Sequence, residues 1–127
     1  MAASPQSTDL TSTEIVRLYA AGRRDFAGLE FTCYLDFEGL DLMGIRFRDC
    51  WLDGHFIDCC LVDADFDGAS IKTVDFVRCD LRGASFRRAL IDATEFRGCS
   101  MANADFAGAT AMGSALAEGE LPPLCEE

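Results

Sequence analysis

The sequence predicts an all-β solenoid, and three observations carry that prediction. From Phe56 to Phe106 every tenth residue is Phe (Phe56, Phe66, Phe76, Phe86, Phe96, Phe106), with Leu61, Ile71, Leu81, Ile91 and Met101 midway between them. A bulky apolar residue thus recurs every five positions, a period that fits neither the 3.6 of a helix nor the 2 of a long strand. Extended towards the N-terminus, the series takes in Phe26, Phe31, Phe37, Leu42, Phe47 and Leu52, so that all ten Phe of the chain occupy one position of the repeat. Five residues that bury two and end in a turn-former read as a short strand plus a corner, and such units bury their inner faces only by stacking. The third observation sets the coil length. Cys59, Cys79 and Cys99 recur every twenty residues, which suits a coil of four units. Phe then lies on two opposite walls, and mostly Leu, Ile or Met on the other two.

The elements follow in chain order. Residues 1–10 read as a loose leader. Thr11-Ser12-Thr13-Glu14 fits a capping box, Ile15, Val16, Leu18 and Tyr19 give an apolar face, and Gly22 suits the C-terminal stop. A short helix at about 12–21 is expected, covering the open N-terminal end of the ladder. Residues 1–23 form this leader and cap, 24–110 the solenoid, and 111–127 a C-terminal cap or tail. Within the solenoid, the residue two before each centre is small or medium from Leu61 onward: Cys59, Ala64, Ala69, Val74, Cys79, Ala84, Ala89, Thr94, Cys99, Ala104. An acid often precedes the centre, and Gly often follows two places later, where a corner benefits from φ > 0.

Units such as Ala64-Asp65-Phe66-Asp67-Gly68, Cys79-Asp80-Leu81-Arg82-Gly83 and Ala104-Asp105-Phe106-Ala107-Gly108 resemble the A(D/N)LXX unit of the pentapeptide-repeat family. The resemblance covers about residues 24–110, and the leader 14–26 resembles bacterial members, notably cyanobacterial ones. It implies a right-handed quadrilateral β-helix. Roughly four coils are expected. Phe26, Phe47, Phe66, Phe86 and Phe106 should stack on one wall, and Phe37, Phe56, Phe76 and Phe96 on the opposite one.

Two slips break the period. Phe31 to Phe37 is six residues, and Leu52 to Phe56 is four. One residue bulges near Thr32–Tyr34 and one is missing near Gly54–His55, so the slips cancel. Between them Leu35, Leu40 and Ile45 replace the small residue, which makes the first coil irregular. After Gly108 the pattern fades. The tail, with Pro122 and Pro123, lacks donors and is expected to end the ladder. Residues 109–124 are expected to fold back as a small cap or to form a two-fold dimer contact.

Chemistry is sparse. Asp63, Asp65 and Asp67 before Gly68 copy half of a calcium loop, but position twelve would be Val74 and no flanking helices are readable. Cys50, Cys59, Cys79 and Cys99 fall at the small interior position, where Cys packs as a small hydrophobe; Cys33, Cys60 and Cys125 lie at outer positions. No CxxC pair is present, and His55, the one histidine, has no nucleophile at meaningful spacing. No catalytic, cofactor-binding or metal-ligating residue is assigned, and the chain reads as a non-enzyme.

The chain has 127 residues, 50% of them hydrophobic, and a formal net charge of −11. One domain with a sizeable core fits that length. Nucleic acid and anionic membranes are disfavoured as partners, because both need clustered Lys and Arg. The first residues carry no signal-peptide pattern, no apolar run spans a bilayer, and seven Cys read as reduced thiols in the cytoplasm. Acids such as Asp36, Glu38, Asp41, Asp63, Asp65 and Asp67 dominate the first half; Arg78, Arg82, Arg87, Arg88 and Arg97 crowd the second. These eleven residues are the candidate interaction surface for an unknown protein partner. Two functions follow. One is a non-catalytic interaction scaffold. The other is implied by the resemblance: some members resemble duplex DNA and bind type II topoisomerases, giving quinolone resistance. A rod of about 20 Å of B-DNA carries about 12 charges, comparable to −11, but spans only about six base pairs.

Overall fold

The computed structural model describes residues 6–111, 114–116 and 125–126. The chain runs β1 (Gln6–Thr8), α1 (Ser12–Ala20), β2 (Leu29–Phe31), β3 (Leu35–Glu38), β4 (Gly54–Ile57), β5 (Asp75–Val77) and β6 (Glu95–Arg97). It ends with β7 (Thr110–Ala111), β8 (Ser114–Ala115) and β9 (Cys125–Glu126). The five-residue period winds these short strands into a four-walled solenoid of about five turns, one more than the sequence suggested. The first wall is a parallel ladder in the order β3-β4-β5-β6-β9. The other three walls are held by single parallel bridges such as Asp41↔Cys60, Arg46↔Asp65 and Trp51↔Ser70. A strand of one or two residues between corners has room for no longer ladder.

Inside, every residue of the central ladder is buried except Met101, which is half-buried. The Phe columns are those the period predicts. Phe26, Phe47, Phe66, Phe86 and Phe106 stack on the third wall; Phe37, Phe56, Phe76 and Phe96 stack on the first. The two columns meet edge-to-face across the core, at 5.5–5.7 Å between Phe76, Phe86, Phe96 and Phe106, the geometry that ring quadrupoles favour. At the small position, Cys50, Cys59, Cys79 and Cys99 each donate Sγ–H to a carbonyl one coil below, those of Phe26, Phe37, Phe56 and Phe76. All four are buried and free.

The register slips are real. Asp25 pairs with Arg46, Leu35 with Gly54, and His55 with Asp75, so coil length passes from 21 to 19 and settles at 20. Gly54 absorbs the missing residue. It is at once the corner after Leu52 and the small interior residue before Phe56, with φ 150°, and a Cβ there would lie 2.0 Å from the Leu35 carbonyl oxygen. Only Gly tolerates that contact.

The helix has the predicted capping box between Thr11 and Glu14. Its C-terminus is a Schellman motif: the Gly22 N–H donates to the Tyr19 carbonyl and the Arg23 N–H to the Leu18 carbonyl. Ile15 is fully buried, and the Tyr19 hydroxyl donates to the Met43 carbonyl at 2.6 Å. The helix therefore lies across the first coil.

Two expectations are corrected. The leader is not wholly loose: β1 pairs in parallel with β2, because the edge left open by the first coil offers unsatisfied backbone groups. The tail does continue a ladder, since β9 pairs with Phe96 and Arg97. Pro122 and Pro123 remove donors only at their own positions, and Cys125 lies past them. The hairpin β7-β8 folds back and buries Leu116, whose N–H donates to the Ala109 carbonyl at 2.7 Å. The outer position expected of the Cys125 side chain lies outside what the structure describes. Among the described residues, no helix is long and apolar enough to cross a membrane.

Candidate functional site

Strand alternation and the two slips together build one polar cluster on the first wall. In β3, Leu35 and Phe37 point inward, so Asp36 and Glu38 point outward. The deleted residue at Gly54 brings His55 into register opposite Asp36 on β4. The imidazole Nε2 lies 2.5 Å from Asp36 Oδ1, and Nδ1 lies 3.2 Å from the Tyr34 hydroxyl, which the bulge carries to this edge. The Asp36 backbone N–H donates to Ser12 Oγ at 2.7 Å, tying the start of α1 to the same strand. Between helix and wall runs a groove of about 350 Å³ lined by Ser12, Thr13, Val16, Asp36, Glu38 and Leu40. The His55 side chain, at the second slip, is only 25% exposed. Among the described residues, Asp36, Glu38 and His55 are the one group of three whose ligand-type atoms converge, within 4.8 Å of one another.

The remaining predicted surface residues are spread over the walls. Asp41 caps its own turn by accepting from the Met43 N–H. Asp63 sits at a corner with φ 60°. Asp65 and Asp67 face Arg48, at 2.8 and 3.7 Å. Asp67 is buried and also accepts from the Ser85 hydroxyl and the Arg87 N–H, so it braces two coils. Arg78, at a corner, pairs with Asp58 one coil below, and its hydrogen bond holds that carboxyl below the usual range. The hydrogen bond from Arg82 does the same for Asp80. Arg87 approaches Asp105 at 3.7 Å, Arg97 pairs with Glu95, and the Arg88 stem lies over Gly108. Among these ion pairs, Arg78–Asp58 joins the arginine-rich stretch to the acid-rich one, across one coil.

The buried thiols divide into two kinds: the side-chain hydrogen bond with Cys79 lowers Cys59 and Cys99 to about 7, while Cys50 and Cys79 are held protonated. Burial pushes Cys50 up to about 11, and the flanking thiols of Cys59 and Cys99 together with burial push Cys79 up. A protonated buried thiol is a poor nucleophile.

Sequence reasoning missed Trp51. It stands outward on the fourth wall, 50% exposed, in a row that runs Glu30, Trp51, Ser70, Leu90, Thr110. A groove of about 310 Å³ beside it is lined by residues including Phe31, Asp53, Lys72 and Thr73. The available signal was positional: an aromatic one place before a centre, where the repeat favours an acid.

Comparison with known proteins places the chain. The family described as a pentapeptide repeat region matches residues 51–123. The solved structure of HetL, a pentapeptide repeat protein involved in heterocyst differentiation regulation from the cyanobacterium Nostoc, is 25% identical, with a TM-score of 0.52. That match covers 79% of this chain and 44% of HetL, so the chain spans under half of HetL's length. The pentapeptide repeat protein alr5209 from Nostoc is 23% identical, with a TM-score of 0.58 over 94% of this chain and 93% of its own. Among curated proteins none matches.

Proposed function

The chain belongs to the pentapeptide-repeat family, and from that premise we propose that it is a non-catalytic scaffold that docks a protein on the side walls of its solenoid. The observation that carries this reading is Trp51. All the large Phe side chains are spent on the core, yet a half-exposed Trp stands on the fourth wall with Leu90, 37% exposed, two coils further on. Asp53 and Lys72 flank the groove beside it. An aromatic anchor within a polar rim is the usual make-up of an interaction hot spot. Stacked coils hold it rigidly, so docking costs little backbone ordering. The described thiols are all free, which suits a reducing compartment such as the cytoplasm.

The charge pattern gives less support to mimicry of DNA. The third wall alternates Asp25, Arg46, Asp65, Ser85 and Asp105, and Arg48 and Arg87 face its carboxylates. The first wall offers Asp36, Glu38, Asp75 and Glu95, with His55 and Arg97 among them, fewer negative charges than the one per 1.7 Å or so of duplex DNA.

The test is affinity capture from the native host with the immobilised chain. A partner retained by the wild type and by Arg87→Ala, but lost by Trp51→Ala, is the expected result. A partner that Trp51→Ala retains equally well overturns the assignment of the fourth wall.

A further inference from the structure

We propose that Asp36, Glu38 and His55 form a binding site for a divalent transition metal ion of the zinc, cobalt or nickel class. The donors are one imidazole nitrogen and two carboxylates, and they already lie within 4.8 Å of one another. In a four-coordinate ion with bonds of about 2.0–2.2 Å, ligand atoms sit about 3.4 Å apart. The Asp36–His55 contact is 2.5 Å and the Glu38 side chain is exposed, so small side-chain adjustments separate the present spacing from that one.

The scaffold is unusually suited to it. Asp36 and Glu38 are i and i+2 on one strand, and His55 is the cross-strand neighbour of Asp36, so all three ligands stand on a paired ladder. Tyr34 holds Nδ1 and leaves Nε2 facing the carboxylates. An outer partner on the far ring nitrogen is the usual companion of a metal-ligating histidine. Coils further along lack the second donor: Ile57, Val77 and Arg97 occupy the place of Glu38. The fourth position opens towards the groove under α1, which has room for water or a partner's side chain.

The donor set also selects the ion. Calcium takes six to eight oxygens, and thiophilic copper(I) requires sulfur. A mixed nitrogen and oxygen set suits zinc, cobalt or nickel.

Cobalt(II) is the probe, because its visible absorption reports coordination and a near-ultraviolet thiolate band would reveal binding at Cys33 or Cys60 instead. The chain, stripped with chelator, should bind one equivalent of cobalt with visible bands, no thiolate band, and displacement by zinc. Glu38→Gln, at an exposed position, should weaken binding at least ~10-fold without changing the metal-free melting temperature, and His55→Gln should do likewise. Tyr34→Phe should weaken it by about 10-fold through loss of imidazole positioning. Absence of saturable binding, a thiolate band, or affinity unchanged in Glu38→Gln overturns the proposal.

Discussion

The first coil and the coils that follow it are made from the same five-residue unit, yet they pack differently. In the regular coils, stacked rings are nearly parallel: Phe56 to Phe76, Phe76 to Phe96, Phe66 to Phe86 and Phe86 to Phe106 have centroids 4.7–5.1 Å apart and planes within 4°. In the first coil the planes tilt by 17–29°, with Phe26 and Phe47 separated by 5.8 Å. Larger interior residues, the fully buried Ile45 and the nearly fully buried Leu35, fill the wider space. The difference has a consequence. Regular coils present repeated corners and paired charges, whereas the irregular coil collects the helix, the groove, Tyr34 and the Asp36–His55 contact. A solenoid is uniform by construction, so its individuality resides where the period breaks.

Substitutions that separate the two regions test this contrast. The largest effect belongs to the regular stack. Phe76→Ala removes a fully buried ring with neighbours above and below and should cost about 3–5 kcal/mol in urea unfolding. A midpoint near the wild-type value would contradict the register of the columns. Gly54→Ala comes next, at about 3 kcal/mol, from overpacking against the Leu35 carbonyl together with an unfavourable φ. Gly44→Ala is its control, since φ is 73° there and nothing lies within 4 Å; about 1–2 kcal/mol is expected from conformation alone. Equal costs at the two glycines would show that Gly54 does not combine corner and core.

Smaller effects probe the cap and the surface. Thr11→Ala removes the side-chain acceptor for the Glu14 N–H and should cost about 1 kcal/mol, read as a lower melting temperature. Arg78→Ala should lower stability at neutral pH only slightly, because the pair with Asp58 is exposed. The sign with pH is fixed. The Asp58 carboxyl is held low by the Arg78 hydrogen bond. Any support is therefore present above the ordinary carboxylate value near pH 4 and lost as pH falls through the lower folded value. The small difference between wild type and Arg78→Ala should shrink as the pH is lowered below about 4. A difference that grows in acid would mean that the pair has been misassigned.

Much of this was legible in the sequence, for identifiable reasons. A period of five with all Phe in one position leaves one way to bury that face, so the walls, the two Phe columns and the buried cysteines follow from composition and spacing. The capping box and Gly22 marked the helix because capping is local chemistry. The ends were misread: Gln6–Thr8 and Cys125–Glu126 carry no repeat signature and are strands only because a neighbouring edge offers partners. Surface pairing was not legible, since chain distance hides that Asp58 lies beneath Arg78.

By itself the sequence determined the solenoid, because hydrophobic burial at a fixed period is a one-dimensional property that the chain carries in full. Tertiary structure alone decided the site. Asp36 and His55 are nineteen residues apart and meet across a coil that Gly54 shortens by one residue. Their contact depends on register, and register is set by the length of the one coil between them, where a single residue moves a side chain to the other face of its strand.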